Sequence, residues 1–324
     1  MEFSLIDRIR ARVASRDDVV LGIGDDAALL QVPPGKLLAV ATDTLNLDVH
    51  FPGDTRAADL GWKSLAVNLS DLAAMGVLPA WATLSLSLPH ADPDWLDSFL
   101  DGFLGLAACH DMALVGGDTT RGPLSIGVTV HGFVDPDAAL RRDGAGEGDD
   151  IWVSGTLGDA AAALAQWRAG GAGDPEFRAR LDRPTPRVDV GLALAGIAHA
   201  AIDLSDGLIA DLGHVCTASG VGAELLLDAL PASPLLQQRF DAAARAALQA
   251  TGGDDYELCF TAAAAQRAAI DTIATRCDLS LTRVGRIVAG AGVRALAADG
   301  SQWHPERSGY AHFDAEATSA ATFR

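Results

Sequence analysis

The chain has 324 residues, 49% of them apolar and 21% charged, which supplies a sizeable core and argues against wholesale disorder. With 24 Lys and Arg against 43 Asp and Glu the net charge is −19, and no basic run offers a surface to nucleic acid or to an anionic membrane. Four dispersed cysteines (Cys109, Cys216, Cys259, Cys277) form no C-x-x-C pair and suit a reducing cytoplasm, and no apolar run reaches the length of a membrane span.

Phe3, Ile6, Ile9 and Val13 recur at helical spacing, so an amphipathic helix, not a signal peptide, is expected to open the chain. Apolar runs at 37–41, 81–88 and 124–134 are predicted strands. Between them lie two predicted helices, 56–75 stopped by Gly76 and 93–108 started by Pro93. A glycine-rich acidic stretch at 143–150 marks a boundary. Beyond it come a strand at 151–154, a turn at 155–158, an alanine-rich helix to Arg168 and a glycine-rich loop to Asp174. A helix at 188–198 and a short strand at 201–203 follow, then a helix capped by Ser205 and ending near Gly220. Strands at 223–227, 256–261, 281–288 and 293–297 complete the pattern. Alternating strands and helices give an α/β (α+β) fold, divided at about residue 140 into domains 1–140 and 141–324.

Acidic motifs punctuate this pattern. Gly22-Ile-Gly-Asp25-Asp26-Ala27 fits the dinucleotide fingerprint, with Asp43 at the spacing of a ribose-binding acid. Pro33-Pro34, however, interrupts the helix that the fingerprint requires, and an acidic turn is the plainer reading. Asp43 is expected at the end of a strand, where α/β sheets collect ligands. Ser64, Asn68 and Asp71 share one face of a helix that carries no other carboxylate from Ser64 to Met75. Gly116-Gly117-Asp118-Thr119-Thr120 reads either as a hairpin turn or as a phosphate-approaching loop with oxygen ligands beside it. In Asp203-Leu-Ser205-Asp206-Gly207 a capping role explains Ser205 and Asp206 and leaves Asp203 free to share a cation. Clustered carboxylates repel one another, and hard divalent cations, bringing phosphates with them, relieve that repulsion. Neither lysine sits in a Walker A motif: Leu37 follows Lys36, and Trp62 precedes Lys63.

Taken together, Gly-Ile-Gly-Asp-Asp-Ala-Ala-Leu-Leu from Gly22, Thr42-Asp43-Thr-Leu with His50-Phe51, Lys63-Ser-Leu-Ala-Val-Asn-Leu-Ser-Asp71, Gly116-Gly-Asp-Thr-Thr-Arg-Gly, Ile202-Asp-Leu-Ser-Asp-Gly-Leu and Gly252-Gly-Asp-Asp-Tyr-Glu-Leu resemble the thiamine-monophosphate kinase family. The likeness runs in order from Phe3 to Phe313. Selenophosphate synthetase and aminoimidazole-ribotide synthetase belong to the wider group. The former needs a reactive residue near its N-terminal glycine-rich segment, whereas the first cysteine here is Cys109.

The resemblance implies ATP-dependent phosphorylation of thiamine monophosphate, the last step to thiamine diphosphate. It implies ATP as co-substrate, several Mg2+ ions, a homodimer built on the N-terminal sheet domain, and a nucleotide between the domains. Metal ligands fall on Asp26, Thr42, Asp43, Asp71, Asp118, Asp203 and Asp206, with Asp43, Asp71 and Asp118 at the centre of catalysis. Nucleotide contacts fall on Gly117, Asp118, Arg142 and Ser205, and acceptor contacts on His50, Asp254 and Tyr310. Two departures stand out: Ala41 replaces a hydroxyl residue common among relatives, and Asp254 replaces the commoner glutamate. A non-catalytic nucleotide- or metal-binding module is the competing class, which a coupled ADP-release assay distinguishes.

Overall fold

The computed structural model describes residues 2–171 and 173–310. Phe313 and the Phe3 side chain, both part of the sequence expectations, lie outside the described residues. The first half runs α1 (Glu2–Arg12), β1 (Val19–Leu21), β2 (Leu29–Leu30), β3 (Leu37–Asn46), α2 (Ala57–Ala74), β4 (Leu78–Leu88), α3 (Pro93–Cys109), β5 (Ala113–Arg121) and β6 (Ser125–Val134). The second runs β7 (Asp150–Ser154), α4 (Asp159–Arg168), α5 (Pro175–Asp182), α6 (Val188–Leu194), β8 (Ala200–Asp203), α7 (Leu208–Ser219), β9 (Gly222–Leu226), α8 (Pro234–Arg239) and α9 (Ala242–Thr251). It continues through β10 (Leu258–Ala262), α10 (Arg267–Arg276), β11 (Leu281–Val288), β12 (Gly292–Leu296) and β13 (Gln302–Trp303).

Each half builds its own sheet. The first is four-stranded in the order β3-β6-β4-β5, and the second seven-stranded in the order β13-β12-β9-β11-β7-β10-β8. Both are mainly antiparallel; β4 with β5 and β9 with β12 are the parallel pairs. Strand alternation in β3 and β6 follows the pleat. Leu45, Ile126, Val128 and Val130 are buried on one face, while Leu38, Val40, Thr42 and Thr44 stand exposed on the other.

The packing of helix α2 explains why Asp71 is the one charge from Ser64 to its end. Buried residues occupy most of its circumference, because it packs on α3, β3 and β6 of its own half and also on α6, α5 and β8 of the other. One apolar core therefore runs through both halves, from Leu65, Leu69 and Val128 to Trp152, Leu258 and Phe260. At the α2–α3 crossing, backbones touch. A Cβ built on Gly61 would lie 1.9 Å from Phe99 O, and one on Gly102 would lie 1.8 Å from Ala58 O. No described helix is long and apolar enough to cross a membrane.

Several sequence expectations are adjusted. The strand expected to end at 41 runs to Asn46, so Asp43 sits inside β3, not at its exit. Gly116-Gly117-Asp118-Thr119-Thr120 is neither turn nor loop but part of β5, with Leu84 opposite Gly117 and Ser85 opposite Asp118. Gly117 is required there: its φ is 148°, and a Cβ would lie 1.9 Å from Leu84 O. Ser205 does not cap α7. The N-cap position is Gly207, and the preceding N–H groups are taken up by Asp211 instead.

Candidate active site

A cleft of about 900 Å³ opens between the edge of the first sheet and the loops of the second half. One wall is β3 from Thr42 to Asn46, with His50 beyond it. The floor is α2, through Val67 and Asp71. The far wall carries Asp203, Ser205 and Asp206 after β8, the 251–256 loop after α9, and Gly309 and Tyr310. Among the sequence-selected residues, Thr42, Asp43, Asp71, Asp203, Ser205, Asp206, His50, Asp254 and Tyr310 thus share one cleft.

Local structure fixes each carboxylate. Because β3 is an edge strand, the Asp43 N–H has no ladder partner on the open side; Asn68 Oδ1 of α2 accepts it at 2.9 Å. Asn68 in turn donates through Nδ2 to Ser64 O at 2.9 Å, which locks its amide. Asp71 lies one turn further along α2. Asp203 ends β8, opposite Leu258 of β10. The turn after it is held by Asp211, whose Oδ2 accepts the N–H groups of Ser205, Asp206 and Gly207, each at 3.1 Å. His50 Nδ1 accepts the Asn46 N–H at 2.9 Å, and the Tyr310 N–H donates to Asp206 O at 3.0 Å.

Burial dominates the electrostatics of the cluster, and neighbouring carboxylates add to it at Asp71, Asp203 and Asp211. Burial, with the charges of Asp203 and Asp43, pushes the Asp71 carboxyl up to about 8. Burial raises Asp203 to about 6, aided by Asp43 and opposed by Ser70 and by the Arg142 guanidinium. Burial alone raises Asp43. Burial, Asp203 and Asp206 lift Asp211 to about 7 despite its three N–H donors. Arg142, absent from the cleft wall, thus acts on the cluster through its field.

Besides Arg142, three selected residues, Gly117, Asp118 and Asp26, fall elsewhere. Asp118 lies on the exposed face of the first sheet, in a second cleft of about 380 Å³ with Thr83, Ser85, Ser87 and Thr129. Thr44, Gly127, Ser85 and Asp118 form one row across the four strands. Asp118 is therefore about 14 Å from β3 at the usual strand spacing, and on the face opposite Asp43. Thr42 and Thr44 line both clefts, so the β3 edge is their common wall. Asp26 is exposed in the loop between β1 and β2 and lines neither of these clefts. Among the described residues no three His, Cys, Asp or Glu side chains form a ready metal cluster.

Other residues at the cleft and behind it receive no role in the sequence reading. Arg168 and Arg307 line it and enter no ion pair among the described residues, unlike most arginines of this acidic chain. Tyr256 lines it beside Asp254. Lys63 Nζ donates to Asp254 Oδ1 at 2.8 Å. Behind that loop, fully buried Glu257 accepts from Ser154 Oγ at 2.6 Å, from Arg180 at 2.8 Å and from Arg187 Nε at 2.6 Å. A hint was present in the composition: Lys63 is one of two lysines in the chain and stands two helical turns before Asp71.

The chain matches the family of the AIR synthase related protein, N-terminal domain, over residues 24–134, and that of its C-terminal domain over residues 146–297. The thiamine-monophosphate kinase of Salmonella typhimurium is 47% identical over 318 residues, spanning 96% of this chain and 98% of the relative. A crystal structure of thiamine-monophosphate kinase from Stenotrophomonas maltophilia superposes with a TM-score of 0.87 at 57% identity, covering 93% of this chain and 98% of that one. The structure of AaThiL complexed with AMPPCP and TMP gives a TM-score of 0.75 at 33% identity, covering 96% and 97%.

Proposed function

This chain belongs to the thiamine-monophosphate kinase family, and from that premise we infer its reaction: ATP-dependent phosphorylation of thiamine monophosphate to thiamine diphosphate. The observation that carries the site assignment is the gathering of Asp43, Asp71 and Asp203 in the same cleft as His50, Asp254 and Tyr310. Asp43 and Asp203 raise the proton affinity of Asp71, and Asp43 that of Asp203; the last three are the groups assigned to the acceptor.

The attacking group is a phosphate oxygen of the acceptor, already anionic near neutral pH, so no strong general base is needed. The barrier is the approach and alignment of two anions. The donor set suits Mg2+: the facing groups are all oxygen, and three carboxylates crowd together against the single field of Arg142. Asp43, Asp71, Asp203 and Asp206, with Thr42, would hold the ions, which supply charge neutralisation to the transferring phosphoryl group. Asn68 and Asp211 keep the β3 edge and the Ser205–Asp206 turn in place. Gly117 and Asp118 meet the nucleotide from the other side of the β3 edge, with Arg142 and Ser205 completing the set. Arg168 and Arg307 add positive charge at the cleft wall, where phosphates enter. ATP and reduced thiols are both at hand in the cytoplasm, which is the compartment this reading assigns.

Incubating the purified protein with ATP, Mg2+ and thiamine monophosphate is expected to yield thiamine diphosphate and ADP in equal amounts. ADP release that ignores thiamine monophosphate, or nucleotide binding without transfer, would overturn the assignment.

We further infer a homodimer formed through the open face of the first sheet. Leu38, Val40 and Leu78 are 44%, 57% and 52% exposed there, around the edge-on ring pair Trp81–Phe133. Such an apolar strand face is a poor surface for a solitary chain. Light scattering should give twice the chain mass of 33.4 kDa, and Val40→Glu should shift it to the monomer. A monomeric wild type ends this part of the reading.

A further inference from the structure

Lys63 is the one fully buried cation among the described residues, at 0% exposure. Packing does not demand an ammonium at that point of α2; burying one is costly unless a partner repays it. The hydrogen-bonded partner is Asp254, whose carboxylate remains 23% exposed toward the cleft. A second carboxylate, Asp182 of α5, also lies in its field; Asp182 Oδ2 is taken by Arg178, and Oδ1 has no hydrogen bond.

Asp254 sits on an unusual piece of backbone. Its φ is 68° and that of Tyr256 is 50°, both in the left-handed region that side chains other than glycine rarely adopt. The loop is pinned by Asp254 N–H to Ser205 O at 2.9 Å and by Tyr256 N–H to Leu204 O at 2.8 Å. Those bonds fix the backbone; the Asp254 side chain is oriented by Lys63 and by a hydrogen bond with the Tyr256 side chain. On α2, Lys63, Val67 and Asp71 follow at i, i+4 and i+8; Val67 and Asp71 line the cleft, and Lys63 is buried one turn before Val67. Eight residues of helix set the Lys63 and Asp71 attachment points about 12 Å apart. The same rigid helix thus carries a carboxylate for one end of the cleft and the anchor of a carboxylate at the other.

We propose that Lys63 is a positioning residue for the acceptor: its buried ammonium holds the Asp254 carboxylate, and with it the Asp254–Tyr256 wall, at a fixed distance from the carboxylate cluster. This rests on the reading of the cleft as a thiamine-monophosphate kinase site.

Steady-state kinetics of the wild type, Lys63→Met, Asp254→Asn and the double variant, with each substrate varied separately, test it. In Lys63→Met the KM for thiamine monophosphate is expected to rise about tenfold or more while the KM for ATP stays within about twofold. The double variant should be no worse than the poorer single one, because both changes act through one carboxylate. Should Lys63→Met fail to fold, Lys63→Gln carries the same comparison. A wild-type KM for thiamine monophosphate in a folded Lys63 variant overturns the proposal, as do equal rises in both KM values or additive losses in the double variant. A wild type that makes no thiamine diphosphate strikes instead at the reading of the function.

Discussion

Asp71→Asn is expected to lower kcat by about two to three orders of magnitude, the loss typical when one preorganised electrostatic contact to a developing charge is removed. The same change should make the metal-free protein more stable. Burial, Asp203 and Asp43 raise the Asp71 carboxyl from 3.8 to about 8, so ionisation is harder in the folded chain than in the unfolded one. The unfolded carboxyl ionises near 4. Folding is therefore progressively penalised from about pH 4 upward, and the penalty is complete above about pH 8. Below pH 4 both states hold the proton, and the penalty is absent. Asparagine, of the same shape and without charge, removes it. Melting temperatures without divalent cation should rise in the variant at pH 8 and match the wild type near pH 4. Mg2+ should raise the wild-type value at pH 8 and raise that of the variant less. Near-normal turnover at saturating Mg2+, or a variant less stable than wild type at pH 8, contradicts the account.

Glu257→Ala should cost about 3–5 kcal/mol of stability, the range for removing one partner of a buried ion pair. Glu257 is fully buried and is the meeting point of Arg180 from α5, Arg187 at the start of α6, and Ser154 at the end of β7. Alanine leaves two largely enclosed guanidinium groups facing a void, and it frees the 183–187 connection from the sheet. Denaturant titration measures the loss. A change under about 1 kcal/mol would mean that water or a neighbouring carboxylate takes the place of Glu257.

The sequence and the structure agree best where apolar pattern and turn chemistry point the same way. Residues 281–288 match β11 in full, and the two helices of the first half are right to within a residue or so at either end. Helices α5, α8, α9 and α10 have no counterpart in the sequence reading; α5 and α8 are only eight and six residues long, too short to establish a helical period. Glycine misled at 116–117: two glycines read as a turn, yet here they let β5 run within contact of β4. The pocket was legible through its acids, since Asp43, Asp71, Asp203 and Asp206 do converge. The side of the sheet was not legible. The pleat sends Asp118 away from Asp43, and that follows from a register set by residues far apart in the chain. Lys63 and Glu257 escaped for a related reason: their partners are 191 and up to 103 residues distant, and nothing local marks such a pairing.

The bare contact between Gly61 and Gly102 has a mechanical consequence. Two helices whose main chains meet without side chains between them have no cushion to compress, and sliding either past the other would drive Trp62 or Phe103 into the opposing backbone. Helix α2 is thereby a fixed jaw. Lys63 and Asp71, both carried on that jaw, therefore keep one spacing whether or not an anion lies between the two ends of the cleft.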